Sequence, residues 1–282
     1  MADTHLFSCG NFQLDISRPH IMGIVNVTPD SFSDGGKHNS VQQAVEHALK
    51  LIEEGADILD IGGESTRPGA TPVSLQEELQ RVIPVVEQLA PRAGVPISID
   101  TYKSEVMQAA IDAGAAIVND IYALQQPGAL QAVANSRAGV CLMHMRGTPR
   151  TMQMDPQYED VVVEVRNFLK FRMEAAMDAG ISRQRIVLDP GFGFGKRTEH
   201  NLALLQALPS LAELEQPLLI GLSRKSVLGH LTGGNVDTRL HASIAASVIS
   251  AMKGAKILRV HDVKATADAL KIVTAVLPQE NA

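Results

Sequence analysis

Arg259 and His261 stand two residues apart inside an apolar run, 256–262. Side chains alternate across a strand, so residues at this spacing share a face. A guanidinium and an imidazole aimed into one cavity suit an anionic group such as phosphate, which Arg meets with a forked set of donors. The alternative is an Arg259 paired with a neighbouring carboxylate and a His261 at the surface. Asp100, Asn119 and Asp189 each end a separate apolar run. Brought together, two carboxylates and a carboxamide offer mostly acceptors. That set suits a ligand rich in N–H groups, such as an aminopyrimidine ring. Taken singly, each has the alternative of capping the helix that follows it. Asn26 ends a further run and offers an oxygen to a hard cation. Mg2+ takes few protein ligands and completes its shell with water and phosphate, so one carboxamide is sufficient.

Residues 189–196 read DPGFGFGK. The glycines alternate, which is not the dinucleotide fingerprint, and Arg197 stands where a P-loop needs Ser or Thr. The segment is read instead as a tight strand-to-helix turn that brings backbone and Phe194 close to a ligand. Residues 223–226 read SRKS directly after an apolar run, which makes Lys225 a candidate ligand for a polar group. The nine His residues form no zinc-binding pattern, and no Ser-His-Asp or Cys-His arrangement supports covalent catalysis by the protein.

Most of these residues end repeats of one pattern. Apolar runs at 21–25, 58–59, 97–99, 116–118, 140–143, 186–188 and 218–222 lead into Asn26, Asp60, Asp100, Asn119, His144, Asp189 and Ser223, with 256–262 as an eighth. Helix-like stretches separate them, expected near 41–54, 75–89, 104–113, 128–136, 158–179, 199–208, 239–253 and 263–276. Ser40 and Ser74 are expected as caps for the first two. Eight buried strands alternating with helices specify a (β/α)8 TIM barrel, an α/β fold in which chemistry gathers at the C-terminal ends of the strands. Residues 6–8 and 12–16 flank a Cys-Gly-Asn turn and read as an N-terminal β-hairpin that plugs the bottom. The whole of 1–282 is taken as a single domain. Three long connections, 28–39, 62–73 and 145–156, leave C-terminal strand ends, where long loops are functional or mobile.

Composition agrees: 45% hydrophobic and 20% charged residues are ample for one core. A formal charge of -6 argues against nucleic-acid binding as the main task. Two distant cysteines, Cys9 and Cys141, point to reduced thiols in a cytoplasmic protein. No basic-then-apolar leader is seen, and no run approaches a membrane span.

Two stretches carry a resemblance. Residues 26–36, NVTPDSFSDGG, and 62–69, GGESTRPG, resemble the two signatures of the dihydropteroate synthase family. The likeness continues through Asp100-Thr101, Asn119-Asp120, 143–145, 189–196, 223–226 and 259–262, and so spans most of the chain. Tyr102 and Tyr122 are departures beside pocket motifs. The resemblance implies a folate-pathway transferase that joins 7,8-dihydropterin-6-ylmethyl diphosphate to 4-aminobenzoate, with Mg2+ assistance and through an SN1-like step. It implies a pterin held by Asp100, Asn119, Asp189 and Lys225 with Met143 near the ring, and a diphosphate with Mg2+ held by Asn26, Arg259 and His261. Thr66, Arg67, Pro68, Phe194 and Ser223 would shape the aminobenzoate site. Asp100, Lys225, Arg259 and His261 would carry catalysis. Sulfonamides would compete with aminobenzoate, and the protein would be a cytoplasmic homodimer. The rivals are a pterin-dependent methyltransferase and a silent pterin-binding scaffold. Both fit poorly with the intact first signature and the diphosphate-binding residues.

Overall fold

A computed structural model describes residues 6–27, 36–66 and 69–276, with backbone alone for 36–39. First in order is an antiparallel hairpin of β1 (Leu6–Cys9) and β2 (Phe12–Asp15), turned at Gly10 with φ +56°. The branched aliphatic runs then become eight parallel strands. They are β3 (His20–Asn26), β4 (Ile58–Gly62), β5 (Ile97–Asp100), β6 (Ile117–Asp120), β7 (Gly139–Met143), β8 (Ile186–Asp189), β9 (Leu219–Ile220) and β10 (Ile257–Val260). Their spatial order is β8-β7-β6-β5-β4-β3-β10-β9, and a bridge between Leu188 and Leu218 brings the two edges together. The eight-stranded barrel expected from the repeat is what forms.

Alternation divides each strand into two jobs. Leu59, Ile61, Ile99, Val118, Leu142 and Leu188 face outward and pack on the helices in one large apolar cluster. Met22, Ile58, Ile117, Cys141, Val187, Leu219 and Ile257 face inward near the strand starts, where Phe7, Cys9 and Ile16 of the hairpin region pack on them. The hairpin therefore closes the N-terminal end of the barrel, as expected. Burying Phe7 there contributes about 2–3 kcal/mol. Its ring comes so close to β7 that a Cβ on Gly139 would lie 2.6 Å from it.

The helices are α1 (Gly36–Glu53), α2 (Leu75–Leu89), α3 (Ser104–Asp112), α4 (Ala129–Ala134), α5 (Val161–Asp178), α6 (Thr198–Gln206), α7 (Leu208–Ala212), α8 (Ser226–Thr232), α9 (Leu240–Met252) and α10 (Val263–Val276). Ser74 caps α2 by accepting from Glu77 N at 3.3 Å. Four expectations are corrected. The first helix starts at Gly36, so Ser40 lies inside it and is not its cap. α5 starts at Val161, because the Asp160 carboxylate accepts from Val162 N at 2.9 Å and Val163 N at 3.1 Å and fixes the boundary there. The stretch near 199–208 ends earlier and a second short helix follows it, with Pro209 placed in its first turn, where a missing N–H costs least. Helix α8 was not expected at all. Of the first long connection expected at 28–39, residues 28–35 lie outside the described residues, as do Arg67 and Pro68, while 36–39 belong to α1.

Candidate active site at the barrel mouth

Moving two residues up each strand from the hairpin layer keeps the side chain inside the barrel. From Ile58 this reaches Asp60; from Ile117, Asn119; from Cys141, Met143; from Val187, Asp189; and from Ile257, Arg259. Asp100 joins them from β5, where it is paired with Asn119 in the ladder. All six gather at the C-terminal ends of the strands. The polar layer has a definite wiring. Arg259 donates from Nε to Asp60 Oδ2 at 2.6 Å and from Nη2 to Asp100 Oδ2 at 2.7 Å. Asn119 Nδ2 also donates to Asp60 Oδ2, at 3.2 Å.

Arg259 is thus paired with carboxylates, which is the alternative the sequence left open for it. Burial works against its charge, but Asp60 and Asp100 more than offset this, and its pKa is raised. Asp100 is pushed up to about 7, first by burial and then by Asp60 and other carboxylates, against the pull of Arg259. Burial also raises Asp189, opposed chiefly by Lys225. Lys225 is brought down to about 8 by burial, with Asp189 acting against the shift and Arg259 adding to it. The layer consequently holds groups that change charge close to neutral pH, as sites of proton and charge management do.

The turn after β8 supplies the next wall. Gly191, Gly193 and Gly195 have φ of +70°, +79° and +65°. A Cβ on Gly191 would sit 1.8 Å from His144 O, and one on Gly195 would sit 2.3 Å from Arg146 O. The alternating glycines therefore let this turn lie flat against the connection after β7, and they form no nucleotide loop. Lys225 Nζ donates to Phe192 O and lies 4.6 Å from the centre of the Phe194 ring. Met143 is buried beside this layer at the end of β7.

The remaining predicted residues lie around the rim. Ser223 Oγ is 3.1 Å from His261 Nδ1 and accepts from His261 N at 3.2 Å, so Ser223 fixes where that imidazole stands. His261 also lines a cleft of about 310 Å³ between α1 and the start of α10, so it lies further out than Arg259. Asn26, at the end of β3, and Thr66, within the connection after β4, are both partly exposed. Behind Thr66, Glu64 accepts from Tyr102 OH at 3.0 Å and pairs with Lys103, which also pairs with buried Glu78. Tyr102 and Tyr122 meet edge to face at 5.3 Å.

Sequence reasoning missed Asp60, fully buried and bonded to both Arg259 and Asn119. Its signal was present, since it ends an apolar run in the same way as Asp100. It also missed the buried Lys196, whose amine lies between β7 and the glycine turn. Among the described residues, no group of three or more His, Cys, Asp or Glu side chains could hold a metal.

Residues 22–261 match the family described as pterin binding enzyme. The dihydropteroate synthase of Escherichia coli strain K12 is 53% identical to this chain over 96% of each. A structure of the Xanthomonas albilineans dihydropteroate synthase with 4-aminobenzoic acid superposes with a TM-score of 0.92, at 55% identity, over 97% of this chain and 99% of that one. The Burkholderia cenocepacia dihydropteroate synthase complexed with 7,8-dihydropteroate superposes with a TM-score of 0.87, at 49% identity, over 96% of each chain.

Proposed function

The chain belongs to the pterin-binding enzymes and, among them, to the dihydropteroate synthases, and we propose from this the reaction it performs. It joins 7,8-dihydropterin-6-ylmethyl diphosphate to 4-aminobenzoate and releases pyrophosphate and 7,8-dihydropteroate. The observation that supports this most is the buried polar layer at the barrel mouth, where Asp100, Asn119 and Asp189 present acceptors beside Lys225 and Arg259. A pterin edge carries N–H donors for such acceptors and ring nitrogens for the ammonium of Lys225. Met143 offers an apolar contact for the ring face.

An aromatic amine is a modest nucleophile, so the reaction depends on loss of the diphosphate first. The methylene C–O bond breaks with its electron pair going to the diphosphate, and positive charge spreads onto the pterin. The amine nitrogen then bonds to the methylene carbon and loses a proton. Asp100 opposes the positive charge on the ring, while Arg259 and His261 oppose the negative charge on the departing diphosphate. Thr66, Arg67, Pro68, Phe194 and Ser223 shape the aminobenzoate site. Asn26 ends β3 at the mouth with its side chain partly exposed, and a carboxamide oxygen suits a hard cation. Asn26 would hold Mg2+ there, and the ion would supply further neutralisation of diphosphate charge.

The protein works as a cytoplasmic homodimer. Cys9 and Cys141 are buried free thiols, and no helix among the described residues is long and apolar enough to cross a membrane. The purified protein, given both substrates and Mg2+, should form dihydropteroate and pyrophosphate in equal amounts. Tight pterin binding without product would instead identify a silent binding protein.

A further inference from the structure

Lys196 is 3% exposed, and no carboxylate among the described residues lies within ion-pair distance of it. Its amine is surrounded by acceptors: His144 Nδ1 at 2.9 Å, Gly191 O at 2.8 Å, Phe194 O at 3.1 Å and His144 O at 3.3 Å. Two of these belong to the residue just after β7 and two to the turn after β8. Enclosing an amine this completely is costly unless the bonds it makes are needed. The backbone around Lys196 shows where they act. The Gly191 peptide is gripped on both sides, its N–H by Asp189 Oδ1 at 2.7 Å and its carbonyl by Lys196. One residue on, Phe192 O accepts from Lys225 Nζ, and the Phe194 ring lies under the same amine. The arch that Lys196 fastens is thus the one that orients both Asp189 and Lys225.

We propose that Lys196 is a positioning residue for the condensation. Its amine ties the end of β7 to the glycine turn, and so holds Asp189 and Lys225 in the geometry that grips the pterin. His144 acts with it as a neutral acceptor. The imidazole is shielded from protonation first by burial and then by its neighbours Lys196 and Arg146, while burial likewise pushes the Lys196 amine well below the usual lysine range; the ring meets Phe168 edge to face at 4.9 Å. The glycines leave no space for the arch to be held by side chains of its own.

This inference rests on the proposed function, so the unaltered protein is the first arm of its test. If the wild type neither makes nor binds dihydropteroate, that reading fails before Lys196 is tested. Given a working wild type, Lys196→Met keeps the chain length and removes every donor. Dihydropteroate affinity by calorimetry should fall about 10- to 100-fold, with the KM for the pterin substrate rising more than kcat falls. A double-mutant cycle separates positioning from simple loosening of the fold. In a Lys225→Met background the further loss from Lys196→Met should be clearly smaller than in the wild type, because the path through Lys225 is already gone and only that through Asp189 remains. Lys196→Gln, which keeps one amide donor and is milder on folding, should fall between wild type and Lys196→Met. Unchanged affinity in either folded variant, or fully additive losses in the cycle, overturns the proposal.

Discussion

Three carboxylates and two cations share the mouth of one barrel, and their charges do not cancel: Asp60, Asp100 and Asp189 face Arg259 and Lys225. The surplus acceptor falls on Asp100, whose carboxyl is raised to about 7 by burial and by its acidic neighbours. A ligand that develops positive charge answers that surplus. Asp100→Asn should therefore lower kcat by about 10²–10³ while leaving aminobenzoate KM little changed, and steady-state kinetics checks both. In the wild type, kcat/KM for the pterin substrate should rise with pH through about 7 as Asp100 ionises and fall through about 8 as Lys225 loses its proton. The asparagine variant should lose the lower limb. Stability runs the other way. The folded pKa of Asp100 lies above its unfolded value, so its contribution is present below the unfolded pKa and is lost as pH rises through about 7. The Tm of Asp100→Asn relative to wild type should accordingly climb between about pH 4 and about pH 7 and level off above that. Asp100, Asn119 and Asp189 were legible as strand-end acceptors. Asp60 carries the same signal and was passed over, because only the wiring to Arg259 distinguishes a site carboxylate from a helix cap.

Strands were the most legible elements, because each is a buried branched run ended by a polar residue, and a parallel strand covered on both sides needs little else. Helix starts were less so. Asp160 fixes α5 with its own side chain, while α8 follows the Ser223–Lys225 turn as only seven residues with no side-chain cap. The glycine turn after β8 shows what a local motif conceals. Its spacing excluded a nucleotide loop, yet the reason for the glycines lies in distant carbonyls at His144 and Arg146. This gives a contrast that can be measured. Gly191→Ala combines φ +70° with a Cβ 1.8 Å from a backbone oxygen, and should cost more than about 3 kcal/mol or prevent folding. Gly69→Ala, at φ +80° with nothing within 4 Å, should cost only about 1 kcal/mol. Denaturant unfolding of the two variants tests the difference; equal losses would mean that close approach to the β7 connection is not what requires glycine at 191.

The proposed dimer would use the outer wall, away from the polar layer. Residues 242–252 carry more apolar side chains than one core-facing stripe needs, and the structure divides them. Ala246 and Ala251 point into the barrel wall, while Ala245, Ile249 and Met252 are exposed along one stripe of α9. On the packed neighbour α10, Ile272 and Val276 are exposed one turn apart. Scattered apolar residues on a surface are ordinary, but a stripe shared by two adjacent helices calls for a partner. A second copy of this chain is the occupant that the dimer reading supplies, with the stripe repeated across a twofold axis. Light scattering should then give twice the 30.2 kDa chain mass at micromolar concentration. Ile249→Glu would place a carboxylate against its own copy in a desolvated patch, where like charges repel. That variant should return the mass of a single chain while keeping its turnover per chain within a few-fold. Ile249 touches none of the residues that grip the pterin, and the mouth of the barrel opens at the strand ends, away from this wall. If the variant instead stays at twice the chain mass, the contact lies elsewhere and the exposed stripe of α9 is not the dimer face.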